Sequence, residues 1–210
     1  MRLIPSLLIT AAALVLLSCA TVPRERLINK DLYLQANLWF ERPMRIESTN
    51  YHRGSIIPAG TKARVLRVIN ARTSSPFYNE ESNMVVPFGG EIPSPGILFE
   101  ILPSGQRFQI IFISKHHTGL LPSDIAEHYF GKEDPLASAR YAGFTPVEKE
   151  AIRQGTLEPG MSKDAVLMAY GYPPEHRTPS LGLPTWIYWT NRFVSKRLIF
   201  SKDGRVIEAW

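Results

Sequence analysis

The sequence is poor in cysteine, with one among 210 residues. A single thiol cannot close an internal disulfide, so a small fold stapled by disulfides is excluded. The 17 prolines and 14 glycines are spread along the chain rather than concentrated in one segment. This spread predicts many turns between short elements instead of a long linker. The lone cysteine therefore needs another explanation.

The sequence also lacks long basic runs. Its formal charge is +5 at pH 7, but the lysines and arginines are dispersed along the chain. Nucleic-acid-binding chains concentrate positive charge in one stretch or on one face. We therefore expect no nucleic-acid partner, whereas the mild positive charge favours an anionic lipid surface.

One hydrophobic run stands at the start of the chain. Residues 3–17 follow Arg2 and are apolar apart from Pro5, Ser6 and Thr10. About 20 apolar residues are needed to span a bilayer. The run is short for a membrane helix and has the form of an export signal. An ordinary secretory signal and an N-terminal membrane helix are the alternatives.

The residues that end this run are Leu16-Leu17-Ser18-Cys19-Ala20. They resemble the lipobox of bacterial lipoproteins. The resemblance implies that residues 1–18 are a signal peptide, that the thiol of Cys19 carries a diacylglyceryl group, and that residues 19–29 form an anchor linker. Two or three acyl chains hold a protein on a membrane essentially permanently. Because Ala20 replaces the aspartate that tends to retain lipoproteins in the inner membrane, the resemblance implies the periplasmic face of the outer membrane.

The middle of the chain, residues 30–131, predicts a mostly-β domain. Apolar residues alternate with polar ones from residue 31, and residues 96–114 have the pattern of a hairpin. The turn at Ile57-Pro58-Ala59-Gly60-Thr61 leads into a strand at residues 62–68, in which Ala63 and Val65 are expected to face away from Leu66 and Val68. This turn and strand resemble the SH3-like barrels of bacterial envelope proteins, so we expect such a barrel or a small sandwich.

A short helix is predicted over residues 122–130. Ser123 would be its N-cap and Gly131 its end. Residues 132–144 would then be a connector between two domains.

The C-terminal region, residues 145–210, predicts two helices followed by three strands. Thr145-Pro146-Val147-Glu148 forms a capping box that starts a helix running to about Gln154. Ser162 can cap a second helix over residues 163–170. The strands are expected at residues 186–189, 194–200 and 206–210, with a tight turn at Lys202-Asp203-Gly204-Arg205.

This pattern resembles the SmpA/OmlA (BamE-like) domain of small outer-membrane lipoproteins. The residues that carry it are Gly155, Pro159, Gly160, Met161, Ser162, Lys163, Val166, Gly171, Pro173, Trp186, Tyr188, Asp203, Gly204, Arg205 and Val206. The resemblance implies a two-layer α-α-β-β-β domain, and the whole chain would be of the α+β class. It also implies a role in outer-membrane integrity or in the assembly of β-barrel proteins.

Five residues are the candidate contact points for a partner. A partly exposed aromatic side chain beside a proline-stiffened loop makes a contact site of low entropy cost. On this reasoning the candidates are Trp186, Tyr188, Tyr172, His176 and Arg177. Packing in the core of a sheet is the other explanation for Trp186 and Tyr188.

Motifs of catalysis are missing. The sequence has no G-x-S-x-G elbow and no H-E-x-x-H, and Gly131-Lys132 lacks the rest of a phosphate-binding loop. The five histidines, His52, His116, His117, His128 and His176, are expected at the surface. A cysteine hydrolase of the cell wall would need the thiol already assigned to lipid. We therefore predict no enzyme, no metal site and no cofactor.

The expected function is that of a lipid-anchored, non-catalytic envelope protein. It would support outer-membrane integrity or barrel assembly through contacts with proteins and lipid, with envelope or barrel-assembly proteins as partners. The alternative is a periplasmic adaptor that binds peptidoglycan or a secreted client, and a cell-wall hydrolase is the least favoured class.

Overall fold

Alternating apolar residues build most of the N-terminal half. The computed structural model describes residues 27–70 and 95–209, together with the two-residue strands at 78–79 and 84–85. The predicted signal peptide, Cys19 and most of the anchor linker lie outside the described residues. The chain is of the mixed α+β class, with a curled β-sheet and few helices.

The N-terminal half is organised around a six-stranded sheet. The strands of this half are β1 (Asp31–Leu34), β2 (Leu38–Phe40), β3 (Ile46–Glu47), β4 (Ser55–Ile57), β5 (Lys62–Ile69), β6 (Tyr78–Asn79), β7 (Met84–Val85), β8 (Gly96–Ile101), β9 (Arg107–Ile111) and β10 (Phe130–Gly131). The strands of the sheet lie in the order β10-β1-β5-β8-β9-β3, and every pair is antiparallel except β3 with β9. Strands β2 and β4 form a separate antiparallel pair, as do β6 and β7.

The longest strand, β5, carries a bulge that the sequence pattern did not predict. The register against β8 shifts between Val65 and Arg67. Because one extra residue reverses the alternation of faces, Val68 joins Ala63 and Val65 in the core, where all three are 0% exposed. The expectation that Val68 faces away from Ala63 and Val65 is therefore wrong.

Two 3₁₀ turns and two helices connect the sheet to the C-terminal region. They are the turns Ser114–His116 and Pro135–Ala137 and the helices α1 (Pro122–Tyr129) and α2 (Ala139–Ala142). The expected helix is present at α1, but Ser123 is not its cap: the helix begins after Leu121, and the side chain of Asp124 accepts a hydrogen bond from the Leu121 N–H. Residues 132–144, expected to be a connector, hold a 3₁₀ turn and a helix of their own.

The C-terminal region has the predicted elements. They are α3 (Pro146–Gln154), α4 (Lys163–Tyr170), β11 (Thr185–Trp189), β12 (Ser195–Phe200) and β13 (Val206–Ala209), and the three strands form an antiparallel meander. Thr145 and Glu148 make the capping box of α3, and the Ser162 side chain caps α4. Both predicted helix starts are confirmed.

Two apolar clusters fill the molecule. The first packs side chains of the six-stranded sheet with those of α1, and the second packs α3 and α4 on the meander. Ala59 from the N-terminal half and Phe144 from the segment before α3 belong to the second cluster. The two halves therefore meet along a surface, here called the seam. On its N-terminal side lie Asn37, Ser48, His116, His117 and His128, and on its C-terminal side lie the ends of α3 and α4 and the 171–179 loop.

Candidate functional site

Two of the five predicted contact residues are not available to a partner. Trp186 and Tyr188 are both 0% exposed, because alternate residues of β11 face the helices. The Tyr188 hydroxyl donates a hydrogen bond to the Gly171 carbonyl at 3.0 Å. The expectation that these aromatic rings form a contact surface is corrected: they are core residues.

The other three predicted residues lie on the loop after α4. Arg177 is exposed, whereas Tyr172 and His176 are half-buried. The Tyr172 ring stacks on His128, with centroids 4.0 Å apart. The His176 ring stacks on Trp189 of β11, with centroids 5.9 Å apart, and its centroid also lies 4.5 Å from that of the His116 ring. This loop is thus packed against the N-terminal half rather than free in solvent.

Two of the five histidines are buried, contrary to expectation, and the other three are half-buried. His116 and His117 are each 5% exposed. The 3₁₀ turn after β9 carries both rings into the seam, where the 171–179 loop meets them. Partners 58 to 69 positions away in sequence form this cluster, so no local motif announces it.

A hydrogen-bonded series of three side chains crosses the seam. Ser48 Oγ lies 2.9 Å from His117 Nε2, and His117 Nδ1 lies 2.6 Å from Glu175 Oε2. The bonds are satisfied when the Ser48 hydroxyl donates to Nε2 and Nδ1–H donates to the carboxylate. Serine hydrolases use this order of groups.

The serine in this series is closed off from substrate. Ser48 is 3% exposed, and its Oγ also accepts a hydrogen bond from the Ile113 N–H at 3.1 Å. The Tyr129 hydroxyl donates to the Ser48 carbonyl at 2.6 Å. In this conformation the series joins the two halves of the molecule and offers no accessible nucleophile.

Ionisation of the cluster follows from its burial. Burial, together with the neighbouring His176, lowers the pKa of His116 to about 4. Burial also lowers the pKa values of His128 and His176. Burial alone would raise the pKa of Glu175, but the hydrogen bond from His117 lowers it overall. His116, His128 and His176 are therefore held neutral beside an ionised carboxylate at neutral pH.

An open groove of about 710 Å³ lies at the β3 edge of the sheet, between residues 39–53 and the turn joining β11 to β12. We call it the basic groove. Its lining includes five cations, Arg42, Arg45, Arg53, Lys115 and Arg192, and two carboxylates, Glu41 and Glu47. Each carboxylate pairs with one arginine, Glu41 with Arg53 and Glu47 with Arg45.

Three of these cations make no ion pair with any described residue: Arg42, Lys115 and Arg192. Their charges are exposed to solvent, and the guanidinium of Arg192 lies 4.5 Å from the centroid of the Phe193 ring. Phe193 is 77% exposed. Cations beside an exposed aromatic ring make a surface suited to an anionic, partly apolar ligand.

The turn that presents Phe193 is fixed by its own hydrogen bonds. Asn191 Oδ1 accepts from the N–H groups of Phe193 and Val194, at 2.8 and 2.9 Å. The Thr190 N–H donates to the Val194 carbonyl at 2.9 Å. The backbone that carries the exposed ring is thus fixed before any partner arrives, which lowers the entropy cost of contact.

The described residues, 27–70 and 95–209 with the two short strands, contain no cluster of three or more His, Cys, Asp or Glu side chains that could hold a metal ion. In the same part of the chain, no helix is both long enough and apolar enough to cross a bilayer.

Comparison of the chain with protein-family models, curated proteins and solved structures gives no match in any of the three.

Proposed function

We propose that the chain is a lipid-anchored, non-catalytic protein of the bacterial envelope that works through contacts with other envelope components. Its anchor would be lipid on Cys19, and its place the periplasmic face of the outer membrane. Its N-terminal half would be an SH3-like module and its C-terminal half an SmpA/OmlA-like one. It would support outer-membrane integrity or the assembly of β-barrel proteins.

The basic groove is the observation that carries this proposal. It is open, it holds three cations that form no ion pair with any residue the structure describes, and it ends at an aromatic ring that is 77% exposed. Contact proteins present such preformed polar and aromatic surfaces. The groove replaces Trp186 and Tyr188 as the first surface to probe, and Arg192 and Phe193 are its centre.

The test compares two triple variants in cells that lack the chromosomal copy. Arg42→Glu, Lys115→Glu and Arg192→Glu together reverse the unpaired cations of the groove. Lys132→Glu, Arg197→Glu and Lys202→Glu make the same change of charge at exposed positions that do not line the groove. The first variant should behave like the deletion, with entry of large hydrophobic antibiotics and a lower yield of folded barrels.

The outcomes separate the alternatives. Leaky membranes with normal barrels favour the adaptor that binds peptidoglycan or a client. Normal permeability and normal barrels in both the deletion and the groove variant would defeat the proposal. The anchor is tested separately: Cys19→Ala should abolish labelling by a radioactive fatty acid, because no other thiol is present.

A hydrolase is the second candidate, since Ser48, His117 and Glu175 stand in the order of a catalytic triad. A fluorophosphonate probe reacts with activated serines. The non-catalytic proposal expects no labelling of the native chain. Labelling that is lost in both Ser48→Ala and His117→Gln would establish the hydrolase instead.

A further inference from the structure

All five histidines of the chain lie at the seam between its two halves. His52 stacks on Tyr170 at a centroid distance of 3.6 Å and bonds the Tyr170 carbonyl. Of the other four, His117 and His128 contact Glu175, and His116 pairs with His176. Histidine is the side chain that ordinarily changes charge between pH 5 and 8, so the seam concentrates the groups most sensitive to mild acid.

The hydrogen bonds of His116 and His176 fix the protons of this pair. His176 Nδ1 lies 3.1 Å from the His116 carbonyl, so it must carry a proton and donate. Its Nε2 is then the acceptor for His116 Nδ1–H, at 3.2 Å. A proton added to His176 Nε2 would set two N–H groups against each other, which turns an attraction into a repulsion.

The neighbouring charges do little to neutralise added protons. The 3₁₀ turn contributes Lys115, His116 and His117, and α1 contributes Glu127, His128 and Tyr129. The 171–179 loop contributes Tyr172, Glu175, His176 and Arg177, while Arg140, Asp164, Tyr170, Tyr188 and Lys196 approach from the elements behind them. Among the residues that the structure describes, Glu175 is the one carboxylate in direct contact with histidines of this cluster.

We propose that the seam is an acid-sensitive latch, in which protonation of the His116–His176 pair releases the 171–179 loop from the N-terminal half. Release would expose Tyr172 and His176 alongside Arg177, which is already in solvent. It would also uncover the Ser48–His117 pair. This inference stands independently of the lipid anchor and of the proposed envelope function.

The direction of the pH effect follows from the pKa values. Once the loop is released, His116 should titrate near the ordinary histidine pKa of 6.5, whereas its pKa in the closed seam is about 4. The released form therefore binds more protons in this range. The closed form is fully favoured above pH 6.5 and is progressively lost as the pH falls toward 4. The lowered pKa of Glu175 acts in the same direction at still lower pH.

Hydrogen exchange measures the release directly. The probe is the unlipidated mature chain, residues 19–210 with Cys19→Ser, studied by mass spectrometry at pH 7 and pH 5, with rates corrected for intrinsic chemical exchange. The amides of residues 175–178 should open about tenfold more often at pH 5. The amides of β5 and β8 should keep their protection, because they lie in the sheet away from the histidines.

Two variants test which histidines cause the pH response of the loop. His116→Asn with His176→Gln keeps hydrogen-bonding groups but removes both titrating rings, so the pH response of the loop should fall at least threefold. His52→Gln, at the other end of the seam, should leave that response unchanged. In the unsubstituted chain, the NMR titration midpoints of the His116 and His176 rings should coincide with the midpoint of loop opening.

Three results would overturn the latch. One is equal loop opening at pH 7 and pH 5. Another is equal loss of protection in β5 and β8, which would mean unfolding of the whole chain. The third is a pH response that survives in the double variant, or, where that variant does not fold, ring titrations that occur away from the opening midpoint.

Discussion

Asn37 is a buried residue that bonds backbone groups on both sides of the seam. It is 2% exposed, and its side-chain amide donates to the carbonyls of Ile152 at 2.6 Å and Ala169 at 3.1 Å. Its oxygen accepts from the Ala59 N–H at 2.9 Å. One side chain thus satisfies backbone groups from the β2–β5 region and from the last turns of both α3 and α4.

Asn37→Ala should therefore be severe. It removes the side-chain partner of the Ala59 N–H and of the Ala169 and Ile152 carbonyls, of which the Ile152 carbonyl keeps only the Gly155 N–H. We expect the free energy of unfolding to fall by about 2–4 kcal/mol. Urea denaturation of the unlipidated mature chain measures the loss. Gln106→Ala, at an exposed turn position, is the control and should change stability by less than about 0.5 kcal/mol. Equal effects of the two substitutions would contradict the role given to Asn37.

Two glycines with similar φ angles allow the cost of a packing clash to be separated from the cost of backbone strain when alanine is introduced. Gly155 has φ 67° and Gly160 has φ 85°, so alanine is strained at both. A Cβ on Gly155 would lie 2.5 Å from the Trp39 ring, whereas a Cβ on Gly160 would meet nothing within 4 Å. Gly155→Ala should cost about 2–4 kcal/mol and Gly160→Ala about 1–2 kcal/mol. Equal losses in thermal or urea unfolding would show that Trp39 does not pack tightly on the end of α3.

Burial of single residues was the part of the site least predictable from sequence. Trp186 and Tyr188 have the composition of a contact surface, but the period-2 alternation of β11 alone does not say which face is covered. The histidines show the opposite case, because they were expected at the surface and two of them are buried. Their partners come from segments distant in sequence, so composition favours the surface while tertiary contacts bury them.

At the scale of elements, the starts and ends of helices were predictable because short-range chemistry determines them. Thr145 and Glu148 satisfy each other's backbone N–H groups, and Gly155 takes the left-handed conformation that ends α3. The Ser162 side chain caps the start of α4 by accepting a hydrogen bond from the Ala165 N–H. The bulge in β5 was not predictable, because it arises from pairing with β8 rather than from β5 itself.

Glu148 joins the capping box to the rest of the C-terminal half. Its carboxylate accepts from the N–H groups of Thr145 at 2.9 Å and Ser162 at 2.8 Å, and Arg205 lies 3.2 Å away. Burial alone would raise the pKa of Glu148, but the hydrogen bonds from Ser162 and Thr145 lower it to about 2. The start of α3, the start of α4 and the β12–β13 turn are thus tied to one charge.

This arrangement predicts a pH dependence with a definite sign. Because the pKa of Glu148 is lower in the folded chain than its ordinary value of 4.5, its stabilisation is complete above pH 4.5 and is lost as the pH falls toward 2. Glu148→Gln should lower stability at pH 7 by about 1–3 kcal/mol and flatten the profile between pH 4.5 and 2. The exposed Glu158→Gln is the control, and urea midpoints across this range are the measurement. An unchanged profile in Glu148→Gln would refute the assignment.

For the whole molecule, composition and pattern were sufficient to predict a mixed α+β chain with strands before the paired helices and a meander after them. The way the halves join was not predictable. Asn37, His117 and Glu175 are ordinary polar residues in the sequence, and only the folded chain brings them together across the seam. The expected boundary at residue 145 remains a prediction, and the seam suggests a sharper test of it.

The segment before α3 packs on the C-terminal core. Phe144 is 9% exposed within the second apolar cluster, and Tyr141 packs against the same cluster. Lys149 Nζ donates to the Ala142 carbonyl at 3.0 Å and lies 5.5 Å from the Tyr141 ring centroid. The C-terminal folding unit should therefore begin near Asp134, whose side chain caps the 3₁₀ turn Pro135–Ala137.

Two fragments test this boundary, residues 134–210 and residues 145–210. Burying Phe144 stabilises a domain by about 2 kcal/mol, and each 1 kcal/mol shifts the melting temperature of a domain this small by about 4–8 °C. The longer fragment should melt cooperatively about 10 °C above the shorter one, as followed by circular dichroism. Phe144→Ala in the longer fragment should remove most of that difference, whereas Ala137→Ser, at an exposed position, should not. If both fragments melt at the same temperature, residues 134–144 are a connector after all, and if neither melts cooperatively, the C-terminal half requires the seam in order to fold.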